Sequence, residues 1–156
     1  RMRDLGFQVQ GVLVEKSPLW GKSIENIVLT KSGSNEYAAV VQRKKSSFYY
    51  FQTVYQDGRL VVTAESNFKN IRTSRLYQDI VSANNAVEVL DIHRLHVEEF
   101  STEGEPPCRE YTPEILKDTT HLYYNLPESR RGMRRFGSIS FIILIILSIP
   151  LILSLT

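Results

Sequence analysis

Apolar and polar residues alternate through the first third of the chain and then change period. Phe7-Gln8-Val9-Gln10-Gly11-Val12-Leu13-Val14 alternates at first and closes apolar, which predicts a strand. Ser17-Pro18-Leu19-Trp20-Gly21 breaks it. Runs at Ile24–Thr30 and Tyr37–Gln42 follow, joined by the turn formers Ser32-Gly33-Ser34-Asn35. After Arg43-Lys44-Lys45-Ser46 comes the longest run, Ser47–Gln56, and then Asp57-Gly58 leads into Leu60-Val61-Val62-Thr63. Asp-Gly between two β-rich runs predicts a hairpin with a type I′ turn, both of whose central residues need positive φ. Connections this short join only antiparallel neighbours. The pattern therefore predicts an antiparallel β-meander of four to five strands over about residues 7–65.

Beyond Glu65 the period lengthens. Ser66–Ser82 is ambiguous: Ser66-Asn67 and Lys69-Asn70 read as loop, Leu76-Tyr77 and Ile80-Val81 as a short helix. Ser82 is a candidate N-cap for a helix over about residues 83–102. On a wheel of about 100° per residue, Ala86, Val89, Leu90, Val97 and Phe100 share one face, and Glu88, Asp91, Arg94, Glu98 and Glu99 take the other. Such a helix is suited to back the sheet. Gly104 stops it, and Glu105-Pro106-Pro107 forms a stiff linker. Thr112-Pro113 opens a second helix that Pro127 closes at about Leu126.

The run at 47–56 is aromatic on both faces, with Phe48, Tyr50, Gln52 and Val54 on one and Tyr49, Phe51, Thr53 and Tyr55 on the other. A sheet with one wet side does not require this. Either the strand is central and covered on both sides, or Tyr49, Phe51 and Tyr55 line a binding surface, with tyrosine supplying apolar area and a polar tip.

The last 21 residues, Phe136–Thr156, carry no charge. As a helix rising about 1.5 Å per residue they would span about 31 Å, the thickness of a bilayer's hydrocarbon core. Arg130, Arg131, Arg134 and Arg135 stand immediately before them. Arginines flanking a span stay on the cytoplasmic side, so the expectation is a C-terminal transmembrane helix with the preceding domain facing the cytoplasm. The plain alternative is a buried core helix, but its usual polar stripe is reduced here to Ser138, Ser140, Ser148 and Ser154. The expected organisation is a cytoplasmic α+β domain at 1–104, a linker and juxtamembrane helix at 105–129, and collar plus span at 130–156. Arg1-Met2-Arg3 would suit the cytoplasmic flank of a second, upstream span.

Charge then falls into place. The 19 Lys and Arg against 17 Asp and Glu give a net +2, but without the four collar arginines the balance is −2. The positive charge is a membrane feature, able to hold anionic headgroups by about 1 kcal/mol per residue. No clustered basic surface remains for nucleic acid. A single cysteine, Cys108, excludes an internal disulfide.

Candidate chemistry is sparse. His93 falls within the apolar helix face and His96 at its edge. Histidines at i, i+3 can address one metal ion, but two ligands are not a site, and neither His121 nor Cys108 stands at a ligand spacing. A buried, hydrogen-bonded imidazole is the plainer reading. The other is a polar-pocket or pH-responsive role. Asp91 and His93 point apart on the helix, Cys108 beside Arg109 is a weak nucleophile signal, and Arg43-Lys44-Lys45 reads as a solvated turn. No nucleotide loop, nucleophile elbow or zinc motif occurs, so no catalytic residue, metal or cofactor is assigned.

The segment Tyr37-Ala38-Ala39-Val40-Val41, then Phe51-x-Thr53-x-Tyr55-x-Asp57-Gly58-x-x-Val61-x-Thr63, then His93-x-x-His96-Val97, resembles uncharacterised bacterial membrane-associated proteins. The resemblance implies a bacterial inner-membrane or plasma-membrane α+β domain and brings no activity with it. The expectation is a membrane-anchored, non-enzymatic interaction domain. Its working surfaces would be Tyr49, Phe51, Tyr55, His93 and His96, and its partners the bilayer and another membrane protein. The alternatives are a membrane-surface enzyme acting on a lipid or small molecule through a histidine acid–base group, and an accessory subunit of a membrane complex, packed through Gly137 and Ser140.

Overall fold

The computed structural model describes residues 2–16, 23–42, 47–65, 70–83, 85–101 and 111–129. Seven strands build one mixed sheet: β1 (Phe7–Lys16), β2 (Ser23–Lys31), β3 (Tyr37–Gln42), β4 (Ser47–Val54), β5 (Leu60–Ala64), β6 (Ile71–Arg72) and β7 (Leu76–Ile80). Their spatial order is β1-β2-β3-β4-β5-β7-β6. The first five pair antiparallel in sequence order, while β7 runs parallel to β5 and carries β6 on its outer side. Two helices complete the fold, α1 (Ala86–Phe100) and α2 (Pro113–Asn125).

The fold is therefore α+β, with corrections to the expected plan. The sheet has seven strands rather than four to five and is not wholly antiparallel. Within the ambiguous stretch Ser66–Ser82, where Leu76-Tyr77 and Ile80-Val81 suggested a short helix, Leu76–Ile80 is a strand, and Leu76, Tyr77 and Gln78 are all buried. A strand covered on both faces loses the period of two that marks a half-buried one. Its entry is set by Thr73, whose Oγ1 accepts from the N–H of Arg75 at 3.2 Å and of Leu76 at 3.0 Å.

The β4–β5 connection is one residue longer than the two-residue loop of a type I′ hairpin. The N–H of Gly58 donates to the Tyr55 carbonyl and that of Tyr55 to the Arg59 carbonyl, each at 2.9 Å. This is a three-residue loop closed by Gly58 at φ 82°, the geometry in which one left-handed residue follows a turn. Asp57 sits in the turn and accepts from Arg59 N at 3.0 Å.

The N-cap of α1 is Asn85, not Ser82: Asn85 Oδ1 accepts from Val87 N at 3.0 Å and Glu88 N at 3.1 Å. Ser82 stays outside the helix because the chain is still tied to the sheet there, with Val81 N donating to the Ala64 carbonyl at 2.9 Å. Thr112 caps α2 as its sequence suggests, accepting from Ile115 N at 3.3 Å.

The wheel of α1 is realised. Phe7, Leu29, Ala38 and Phe51 of the sheet pack with Ala86, Val89 and Leu90. Tyr55, Val61 and Tyr77 form a second cluster against Val97 and Phe100. Burying a side chain the size of Phe51 contributes about 1.5–3 kcal/mol. The opposite face of the sheet is buried as well, through Tyr37, Val54, Leu60, Val62 and Leu76. There Tyr111 stacks on Tyr37 at 5.3 Å, and its hydroxyl donates to the Gln52 carbonyl at 3.5 Å. The two aromatic faces of β4 are thus those of a central, doubly covered strand.

The described residues divide into two compact units after Leu122. In the second, Tyr123 and Tyr124 meet edge to face at 5.5 Å, and a helical turn starts at Pro127. Among the described residues no helix is long and apolar enough to cross a membrane. The expected span at 136–156, the collar arginines Arg130, Arg131, Arg134 and Arg135, the linker with Cys108, and Arg43–Ser46 all lie outside the described residues.

Candidate functional site

Polar chemistry inside the first unit is concentrated where α1 crosses β4, β5 and β7. Thr53, Thr63 and Asp79 share the sheet face that α1 covers, and Thr63 is the ladder partner of Asp79 across the parallel β5–β7 pair. Helical spacing stacks His93 and His96 above them. Thr53 Oγ1 lies 3.0 Å from His93 Nε2, and Thr63 Oγ1 lies 3.1 Å from His93 Nδ1 and 3.0 Å from His96 Nδ1. His96 Nε2 is 3.5 Å from Asp79 Oδ2. The row runs from the interior outward: His93 is 0% exposed, His96 9%, and the Asp79 side chain 20%.

Asp79 sets the polarity of this row. A carboxylate only accepts, so neutral His96 carries its proton on Nε2, facing Asp79. His96 Nδ1 then accepts from the Thr63 hydroxyl. With its one proton committed, Thr63 Oγ1 accepts from His93 Nδ1–H. His93 Nε2 is left as acceptor for the Thr53 hydroxyl. One arrangement thus gives three of the four imidazole nitrogens a hydrogen bond to a threonine and leaves the fourth, His96 Nε2, facing Asp79.

Electrostatics favour these neutral forms. His93 is pushed down to about 3, first by burial and then by the neighbouring His96 and Arg94. His96 is lowered by burial, against the opposing pull of Asp79 and Glu99. An outer layer closes the row. The ring of Tyr77 lies 4.7 Å from that of His96, and its hydroxyl donates to Glu99 Oε2 at 2.9 Å while accepting from Arg72. Burial and the Glu99 contact push that phenol up to about 12. Arg94 clamps the buried Glu36 through two bonds, at 2.6 and 3.2 Å, fixing α1 against the β2–β3 connection. At the far end of α1, Arg59 donates to the Phe100 carbonyl at 2.9 Å and stacks 4.7 Å over Tyr55. It supplies the cation that the helix's own last turn lacks.

The residues singled out from sequence are thus partly brought together. His93 and His96 join one network, but Phe51 and Tyr55 are core, at 0% and 1% exposure, and Tyr49 is half-buried beside Phe51. Phe51 and Tyr55 are therefore sealed in packing rather than presented to solvent. Among the described residues no group of three His, Cys, Asp or Glu is placed to hold a metal ion. Thr53, Thr63, Tyr77 and Asp79 were missed. The signal available for the first two was a hydroxyl interrupting each apolar strand face opposite a pair of helical histidines. No family model, curated protein or solved structure matches the chain. Chemically the row locks the rotation of α1 on the sheet, because the two imidazoles meet the threonine hydroxyls in one seat only.

Solvent-facing features lie elsewhere. On the sheet face away from α1, a groove of about 120 Å³ opens between β1, β2 and Tyr111, with Gly11, Leu13 and Val28 in its lining. On the other face of β1, Val9, Val12 and Val14 are exposed.

Proposed function

We propose that this chain is a membrane-anchored interaction domain, held at the cytoplasmic face of a bacterial inner or plasma membrane by residues 130–156. The observation that carries the reading is the uncharged stretch Phe136–Thr156 directly behind four arginines. Lipid solvates such a stretch without the polar face a soluble helix would need. Anionic headgroups are the partner of the arginine collar, and anchoring raises the domain's effective concentration toward other membrane proteins. The exposed valines of β1 support an interaction role, since a row of large apolar side chains in water costs solubility unless something covers it.

The histidine-based enzyme is the weaker reading. His93 has no exposure and both its ring nitrogens are engaged by threonines, so a substrate would reach it only by lifting α1 off the sheet.

Membrane fractionation tests the anchor. The full chain should sediment with membranes and resist an alkaline carbonate wash, whereas the chain lacking 130–156 should appear in the soluble fraction. Continued membrane association of the truncated chain would overturn the anchor.

A further inference from the structure

We infer that β1 is a self-pairing edge: two copies of this chain join antiparallel through β1, about a two-fold axis at Val12, so that the sheet runs on from one copy into the next. The proposal rests on the interaction reading above and gives it a partner.

The two ends of the sheet are built differently. At one end β6 has two residues, Ile71 and Arg72, short and charged as a protected edge is. At the other end β1 is ten residues long, and among the described residues it pairs with β2 alone. From Gln8 to Val14 it carries neither charge nor proline, two of the guards of an open edge, and its one irregularity is the bulge at Gln10. The outward surface is apolar: Val9, Val12 and Val14 are 52%, 58% and 52% exposed.

The bulge makes the strand symmetric. Register shifts between Val9 and Gly11, leaving Gln10 as the extra residue and bringing Val9 onto the same face as Val12 and Val14. Nine ladder positions remain, and Val12 is the fifth. A two-fold axis there pairs Val12 with its own copy, Val9 with Val14, Gly11 with Leu13, and Gln8 with Glu15, using the whole strand with no overhang. Both copies' valines then form one strip continuous with Ile27 and Leu29, which belong to the core under α1.

The other face is complementary too. A Cβ at Gly11 would meet nothing within 4 Å, and Gly11 borders the 120 Å³ groove. Pairing about Val12 sets Leu13 of the second copy opposite Gly11, over that opening, and the symmetry repeats the fit. Self-complementarity of this kind is what an isologous contact requires.

The contact is small. Ten residues at about 3.3 Å each and a sheet about 10 Å thick give roughly 330 Å² per copy, against about 800 Å² for a standard interface. The dimer is therefore weak and concentration-dependent, which suits copies confined to one membrane.

Disulfide trapping in the full chain tests this. In a Cys108→Ser background, Val12→Cys would face its own copy at about 4.5–5.5 Å between Cα atoms, within the range a disulfide bridges. Leu95→Cys, equally exposed at 63% on α1, is the comparison. Copper–phenanthroline oxidation should convert most of the Val12→Cys chain in membranes to a covalent dimer and leave Leu95→Cys monomeric. Adding Gly11→Leu, which fills the space Leu13 needs, should abolish the dimer. Equal crosslinking of the two cysteines, indifference to Gly11→Leu, or a covalent adduct with a different protein would each overturn self-pairing. A chain that sediments with membranes yet gives no dimer removes the pairing and leaves the anchor standing. Dimer formation by a chain that does not sediment does the reverse.

Discussion

The hydroxyl of Thr63 is the hinge of the buried row because it serves two imidazoles at once. Thr63→Val keeps the shape but leaves a donor on His93 and an acceptor on His96 without partners, each costing about 1–3 kcal/mol. Thr53→Val strands only one nitrogen of His93. Urea unfolding should therefore place Thr63→Val below Thr53→Val, with losses of about 2–6 and about 1–3 kcal/mol respectively; equal losses would mean that the two imidazoles do not share the oxygen. The same row makes stability depend on pH. Both histidines are shifted down in the folded protein, His93 to about 3, while unfolded histidine titrates near 6.5. Below that value the unfolded chain binds protons that the folded one refuses. Stability should hold above about pH 6.5 and fall as pH drops, by up to about 1.4 kcal/mol per pH unit per histidine. Charged neighbours act on His96 in both directions, Asp79 and Glu99 against Arg72, so its share is the smaller. Unfolding midpoints from pH 8 to 5 check this, and His93→Gln should flatten the curve. Sequence placed His93 on the apolar face but left its partners unseen, because a threonine in a strand reads as an ordinary β-former until the register sets it against a helix.

Among the elements, turn formers made the strands legible more than alternation did. α1 kept its wheel, and β4 and β5, although buried on both faces, were marked by the β-rich runs on either side of Asp57-Gly58. β7 has no such turn to mark it, and Leu76, Tyr77 and Gln78 are buried in succession, so no period shows. Nor does local pattern announce a parallel neighbour: Leu60 and Leu76 pair only after the chain has crossed residues 65–75. The start of α1 shows how little separates candidate caps in sequence. Ser82 and Asn85 are both good cap residues, and the choice is made by the tie of Val81 to Ala64. Asn85→Ala should lower the unfolding temperature by an amount equivalent to about 1 kcal/mol, whereas Ser82→Ala should change stability by less than about 0.5 kcal/mol. Thermal denaturation followed by far-UV circular dichroism separates them, and a larger effect at Ser82 would return the cap to the residue the sequence favoured.

At the scale of the whole molecule, protection should grade from the middle of the sheet to its edges. All of β5 is buried between paired strands, whereas β1 has one paired side and an exposed row of valines. Local opening is cheapest where few contacts must be broken, so amides in β5 should exchange only through global unfolding and those of β1 much sooner. Within β1 the two kinds of amide differ. In an antiparallel edge strand roughly half the N–H groups point at the neighbour and the rest point away. The inward set should show intermediate protection at any protein concentration. The outward set should exchange at nearly loop rates when the protein is dilute and slow progressively as concentration rises, because a second β1 supplies their acceptors. Hydrogen exchange read residue by residue at several concentrations distinguishes three states of the edge. Slowing confined to the outward set marks pairing between copies, and fast exchange at every concentration marks an open edge. Outward amides already protected at the lowest concentration would mean that the edge is closed within a single chain, and the valine row would then be an internal seam rather than a contact surface.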